Sequence, residues 1–269
     1  TSVMEENFSK VRICAHRANT YSGIFKHHYP ENSIPAIEHC IALGIDMAEI
    51  DVRKTKDGVL VCLHDSNIKN VTNGSGEVAS MTYAEVCQYD MKSREKDVVS
   101  PGVKIPPLEE MLLACKDRIW VNLDLSKTTI PAREIMQVIE KTGMLDQVTC
   151  YTGSSADLGK EYYEIDNRIS IHLSVSSTSA IGNIAGTKSV PLFQINTAKY
   201  WDGTSASSDL SNAIRKRGYC TFSNLLNYDK KVRDGNIDAL KAFCDAKIDF
   251  LQTDYGDHAN IVNYLKERG

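Results

Sequence analysis

The segment AEIDVRKTKDGVLVCLHD, residues 48–65, decides the architecture. It holds two short apolar runs, IDMAEIDV (45–52, beginning just upstream) and GVLVCLH (58–64), each ending in ionisable side chains. Residues i and i+2 of a strand face the same side, so Glu49 and Asp51 share one face and Ile50 takes the other. Nearly continuous apolar runs mark strands covered on both faces, as in a parallel sheet.

Runs of the same kind recur outward along the chain. They are VRICAH (11–16), RIWVNLDL (118–125), QVTCYT (147–152), RISIHLSV (168–175), VPLFQIN (190–196), GYCTFSN (218–224) and IDFLQTD (248–254). Helical patterns separate them, among them SIPAIEHCIALG (33–44), LEEMLLACK (108–116), PAREIMQVIEKTG (131–143), DLSNAIRKRG (209–218), NIDALKAFCDA (236–246) and HANIVNYLKERG (258–269). Strand–helix alternation predicts a parallel sheet. About eight repeats in 269 residues predict a (β/α)8 TIM barrel, one domain over residues 1–269. Nine strand candidates exceed the eight required, and the surplus one is expected at 168–175 or 190–196. Residues 66–107 lack clear strands and read as a small insertion after strand 3. A doubly wound open sheet is the alternative, but HRANTYSG after the first strand is not a dinucleotide fingerprint.

Composition narrows the class. Hydrophobic residues make up 42% and charged residues 25%, ordinary for a globular chain. The net charge of −4 gives no basic surplus for nucleic acid, so an anionic ligand would need a local positive site. No run approaches the ~18 apolar residues of a membrane span, so no stable membrane insertion is expected. The opening TSVMEENFSK has no initiator Met, which predicts that something upstream, an export signal among the options, was removed or replaced. Eight cysteines form no CxxC or CxxH pair, and several lie inside apolar runs, so they are expected as small buried hydrophobes.

Active sites of barrel enzymes lie at the C-terminal ends of the strands. Four successive strands here end in polar residues: His16-Arg17, Glu49 with Asp51, His64-Asp65, and Asn122 with Asp124. A lone Glu-x-Asp or His-Asp at a strand end is commonly solvated; four in register are hard to obtain by chance. Crowded carboxylates repel unless a cation lies between them. Three of them with no Cys–His cluster suit a hard ion, Mg²⁺ or Ca²⁺, at Glu49, Asp51 and Asp124. His27 and His28 read as solvated loop residues or part of a substrate rim, His39 and His258 as structural, and His172 as a packed core histidine.

Taken together, AHR…PENS…AEIDVRKTKDGVLVCLHD resembles the glycerophosphodiester phosphodiesterases. The matching pieces are His16-Arg17, Pro30-Glu31-Asn32, Glu49 and Asp51, Thr55 with Asp57-Gly58, and His64-Asp65. They continue through Gly74-Ser75-Gly76, IPPLEEML (105–112), VNLDL (121–125), TFSN (221–224), LQTDY (251–255) and NYLKERG (263–269). The resemblance implies His16 and His64 as catalytic acid and base, Glu49, Asp51 and Asp124 as metal ligands, Arg17 as a phosphate contact, and Glu31 lining the same site. It implies Phe222 as an apolar wall for the alcohol.

The chain departs from the family pattern in places. Asp124 stands where a Glu is usual. The usual nearby lysine is missing: Ser126 takes its position, Lys127 faces the other way, and TCYTG offers none. The Ala18–Tyr29 loop is longer than usual, and its Lys26, His27 and His28 are candidates to replace that cation. The implied activity is metal-dependent hydrolysis of a small-molecule phosphodiester to an alcohol and glycerol phosphate. Alternatives are a non-catalytic glycerophosphodiester-binding barrel and a related barrel phospholipase acting on lipid headgroups. The resemblance leans towards a periplasmic or exported protein, the unpaired-looking cysteines towards a cytoplasmic one; oligomeric state is unknown from sequence.

Overall fold

The computed structural model of the chain describes residues 10–184 and 191–268. The opening TSVMEENFS, Val190 of the predicted strand 190–196, and Gly269 fall outside them.

Eight parallel strands close on themselves. In chain order they are β1 (Arg12–Ala15), β2 (Met47–Lys54), β4 (Trp120–Asp124), β5 (Val148–Tyr151), β6 (Ser170–Val175), β7 (Leu192–Ile195), β8 (Cys220–Asn224) and β9 (Phe250–Thr253). Each pairs in parallel with its neighbour, and β1 pairs with both β9 and β2, which closes the ring. Around it run α1 (Ile34–Leu43), α3 (Leu108–Cys115), α4 (Ala132–Thr142), α5 (Ala156–Ile165), α6 (Asp209–Arg215), α8 (Asp238–Asp245) and α9 (Ala259–Arg268), with α2 (Tyr83–Val86) and α7 (Asp229–Arg233) as short extras. This is the predicted (β/α)8 barrel. Between barrel and helices a main core forms from residues such as Ile50, Leu123, Ile139, Ile171, Phe193 and Leu251. The other face of the strands fills the barrel itself with Cys14, Met47, Leu192, Cys220, Phe222 and Phe250.

Local sequence sets the helix ends. Ser33 caps α1 by accepting from the Ala36 N–H, and Gly44 stops it in the left-handed region at φ 70°. The cysteines are free thiols; six are buried, and Cys87 and Cys244 are intermediate.

The surplus strand is not where the sequence reading put it. Both 168–175 and 190–196 supply barrel strands, β6 and β7. The extra is β3 (Leu60–Cys62), which pairs antiparallel with the outer half of β2, Val52 opposite Cys62 and Lys54 opposite Leu60. Thr55–Val59 turn the chain back. Val59 N–H donates to Thr55 Oγ1 at 2.9 Å, Thr55 Oγ1 donates to Asp57 Oδ1 at 2.6 Å, and Gly58 takes φ 86°. Met47–Asp51 of β2 pair with β4 inside the barrel, while its last residues rise above it as a hairpin. A short continuous apolar run looks alike in a parallel and an antiparallel strand, so the hydrophobic pattern alone did not separate them. The excursion that follows packs its own small core from Val61, Leu63, Ile68, Val71, Val78, Val86, Met91 and Ile105.

Candidate functional site

The C-terminal end of the barrel collects the carboxylates. Glu49 and Asp51 leave β2 on its inner face, and the β2–β4 register sets Asp51 directly beside Asp124. One oxygen from each of the three lies within 4.8 Å of the others. Glu49 is 4% and Asp51 7% exposed; Asp124 is half-buried. Burial, then the charges of Asp51 and Asp124, push the Glu49 carboxyl far above its usual range, partly offset by the Arg17 N–H. Burial also raises Asp51, against a hydrogen bond from Asn32 and the nearby Arg17 and His64. Three crowded oxygen donors, two of them buried and pushed towards the neutral form, fit a hard divalent cation, whose charge removes the conflict.

The β1–α1 loop folds onto this cluster. Arg17 and Ala18 adopt left-handed φ values of 53° and 59°, uncommon for non-glycine residues. The turn aims the Arg17 N–H at Glu49 Oε2, 2.8 Å away, and the Arg17 carbonyl accepts from Asn32 N–H at 2.8 Å. Asn32, also left-handed at φ 54°, donates from Nδ2 to Asp51 Oδ2 at 2.9 Å and accepts from the Asp51 N–H at 3.1 Å. The Pro-Glu-Asn turn thus holds one carboxylate of the cluster. Its Glu31, 6% exposed, accepts from Arg17 Nη1 at 3.2 Å.

Each predicted histidine is held through Nδ1 by a carboxylate. His16 Nδ1 lies 2.9 Å from Asp254 Oδ1, with Nε2 4.0 Å from Glu49 Oε2. His64 Nδ1 lies 2.7 Å from Asp65 Oδ1. His64 does not end a parallel strand, as the pattern suggested. The antiparallel β3 returns from the hairpin, and Leu63 N–H bonds the Asp51 carbonyl at 3.2 Å, which delivers His64 to the cluster. Arg53 then clamps the His64 carbonyl from Nε at 2.8 Å.

His16, Arg17, Glu31, His64, Glu49, Asp51 and Asp124 therefore meet at one end of the barrel. Phe222 does not join them. It is fully buried inside the barrel, with its ring 4.5 Å from His172 and 6.3 Å from Phe250. Its side chain has no exposed surface, so it packs the barrel interior and forms no open wall. His172 is the packed core residue expected, fully buried with Nδ1 3.0 Å from Asn122 Oδ1; burial lowers its pKa to about 3. In the long first loop, Lys26 and His27 are exposed, and His27 stacks on Tyr29 and meets His39 edge to face outside the barrel.

Three residues were missed. Asp254 orients His16. Asp229, 4% exposed, accepts from the Asp254 N–H at 2.9 Å and from Thr253 Oγ1 at 2.5 Å, beneath it. Arg94, from the excursion, donates to Glu31 at 2.8 and 3.0 Å. Asp254 was findable, since it follows the last barrel strand in LQTD as His16 follows the first. A cavity of about 340 Å³ lies beside the cluster, lined by His16, Arg17, Glu31, Arg94, Asp254 and Tyr255 among others.

Comparison with known proteins gives one answer. A glycerophosphodiester phosphodiesterase of Bacillus altitudinis is 36% identical over 119 residues, 44% of this chain and 46% of that protein. The chain spans less than half the length of such curated relatives. The crystal structure of a glycerophosphoryl diester phosphodiesterase from Parabacteroides distasonis superposes with a TM-score of 0.82 at 19% identity, over 98% of this chain and 89% of that one. A phosphodiesterase of Oleispira antarctica, solved in complex with the product sn-glycerol-3-phosphate, superposes at 0.70 with 18% identity, over 96% and 97% of the two chains. At such identities the superpositions speak for the fold. The family profile itself matches residues 16–236, most of the chain, and on that match the chain belongs to the glycerophosphoryl diester phosphodiesterase family.

Proposed function

We propose that this protein is a phosphoric diester hydrolase that cleaves a glycerophosphodiester to an alcohol and glycerol phosphate, with a divalent cation, Mg²⁺ or Ca²⁺, held by Glu49, Asp51 and Asp124. The observation that carries the reading is the meeting of that carboxylate cluster with two histidines, each fixed through Nδ1 by its own carboxylate. Family membership and the product named for the Oleispira antarctica enzyme support the substrate class.

The chain's own residues divide the work. A carboxylate only accepts hydrogen bonds when ionised, so Asp254 and Asp65 each place the proton of their histidine on Nδ1 and leave Nε2 for the reaction. One Nε2 takes the proton of the attacking hydroxyl or water, and the other donates a proton to the departing alkoxide. Arg17, anchored by Glu31, offers a permanent positive charge to the phosphate. The cation, when bound, supplies Lewis-acid neutralisation of a phosphate oxygen.

A glycerophosphodiester-binding barrel that turns nothing over would not require this proton-handling pair. Turnover of glycerophosphocholine and glycerophosphoethanolamine, measured with and without EDTA, separates the two. Turnover lost in EDTA and restored by Mg²⁺ or Ca²⁺ is expected; tight binding without turnover would sink the hydrolase reading.

A further inference from the structure

Two residues of the excursion after β3, Asn70 and Arg94, come back to the catalytic end. Asn70 Nδ2 donates to Asp65 Oδ2 at 2.7 Å, and Arg94 Nη2 donates to the same oxygen at 3.0 Å. The other oxygen, Oδ1, is the one that accepts from His64 Nδ1. Arg94 also forks onto Glu31, Nε to Oε2 at 3.0 Å and Nη2 to Oε1 at 2.8 Å. Glu31 in turn holds Arg17. One planar guanidinium thus ties the carboxylate that carries His64 to the carboxylate that carries Arg17.

The arrangement is specific to this side chain. Arg presents its donors in a rigid fork that can meet two carboxylates in one plane, whereas Lys is a flexible point charge. Two donors on Oδ2 of Asp65 fix the plane of the carboxylate and aim Oδ1 at His64. Burial works against the charge of Asp65, yet hydrogen bonds from Asn70 and His64 and the charge of Arg94 outweigh it and hold the carboxyl well below its usual range. The acceptor is therefore ionised across the neutral range. Asn70 and Arg94 are separated by much of the excursion, whose own apolar core includes Ile68 and Met91, close in sequence to each. That packing brings the two donors to one oxygen.

We infer that Arg94 is a positioning residue for the reaction: through Asp65 and Glu31 it sets His64 and Arg17 in one frame, so the excursion is part of the catalytic apparatus. The inference rests on the role proposed above for His64. Side chains at such sites need placement to within a fraction of an ångström, and a misplacement of about 1 Å can cost on the order of 10²-fold.

The test combines kinetics with a signal that needs no turnover. Arg94→Ala and Arg94→Gln should lower kcat by about 10- to 100-fold, and Arg94→Lys should recover part of the loss. Adding Asp65→Asn to Arg94→Ala should bring little further loss, because both act on His64 through one chain of contacts. In the free enzyme, the His64 Nδ1 proton should give a low-field, slowly exchanging NMR resonance that broadens in Arg94→Ala and returns in Arg94→Lys. Additive losses in the double variant, or a resonance indifferent to Arg94 in an active enzyme, would overturn the inference. If the wild-type protein turned over no glycerophosphodiester while the resonance still followed Arg94, the hydrolase reading would fall and the link from Arg94 to His64 would stand.

Discussion

His16 Nδ1 and Asp254 Oδ1 stand 2.9 Å apart across the seam where β1 and β9 close the barrel. The histidine follows the first strand and its carboxylate follows the last, so the proposed site is complete only when the ring is shut. Asn19 Nδ2 donates to the same Asp254 oxygen at 3.1 Å, and Asp229 holds the Asp254 backbone.

From this pair follows a graded loss. His16→Gln, like His64→Gln, should lower kcat by about 10²–10⁴-fold, the usual worth of positioned acid–base catalysis. Asp254→Asn leaves the ring in place without its tautomer-fixing charge and should cost on the order of 10²-fold. KM should change little in all three. Steady-state kinetics on glycerophosphocholine decides it, and near-normal turnover in both histidine variants would refute the assignment.

Asp51→Asn removes one of the three clustered carboxylates while keeping its shape. Lewis-acid stabilisation worth several kcal/mol corresponds to a rate loss on the order of 10²–10³-fold. Calorimetric titration with Mg²⁺ and Ca²⁺ should show weakened binding in Asp51→Asn, with an unchanged far-ultraviolet circular dichroism spectrum. Wild-type affinity for both ions in the variant would rule out this ligand set.

Asp229 gives a pH signature. Burial pushes its pKa up to about 7, against hydrogen bonds from Thr253 and the Asp254 N–H. The folded value lies above the unfolded one near 4, so the folded state binds the extra proton and the charged form is the penalised one. The penalty is absent below about pH 4, grows as pH rises to about 7, and stays constant above that. Asp229→Asn should therefore gain stability over the wild type at pH 8, by up to a few kcal/mol, and lose that gain as pH falls towards 4. Urea melts at pH 4, 6 and 8 read it; a gain independent of pH would show that Asp229 does not titrate as described.

Phe222 belongs to packing. Phe222→Ala opens a cavity inside the barrel and should cost about 3–5 kcal/mol of stability, with Phe222→Leu costing less. Substrate KM in the folded enzyme should stay within a small factor of the wild type. A large rise in KM with unchanged stability would return Phe222 to the role of a substrate wall.

Strand–helix alternation and the polar residues at strand ends were enough to place a barrel and to bring His16, Arg17, Glu49, Asp51 and Asp124 to one end, because the two-residue period of a strand and the common direction of parallel strands fix which side chains share a face and an end. The turn residues carry a further signal: Thr55–Val59, with Gly58 inside, form a hairpin turn that makes β3 the strand outside the ring. The structure alone decided the rest. Whether Phe222 lines the site or packs the barrel interior depends on how far the strands are staggered around the barrel, and the stagger is set by closure. Asp254 could meet His16 only across that closed seam. Arg94 reaches Asp65 and Glu31 because a separate small core folds the excursion back, a contact between residues 29 and 63 positions apart that no local pattern encodes.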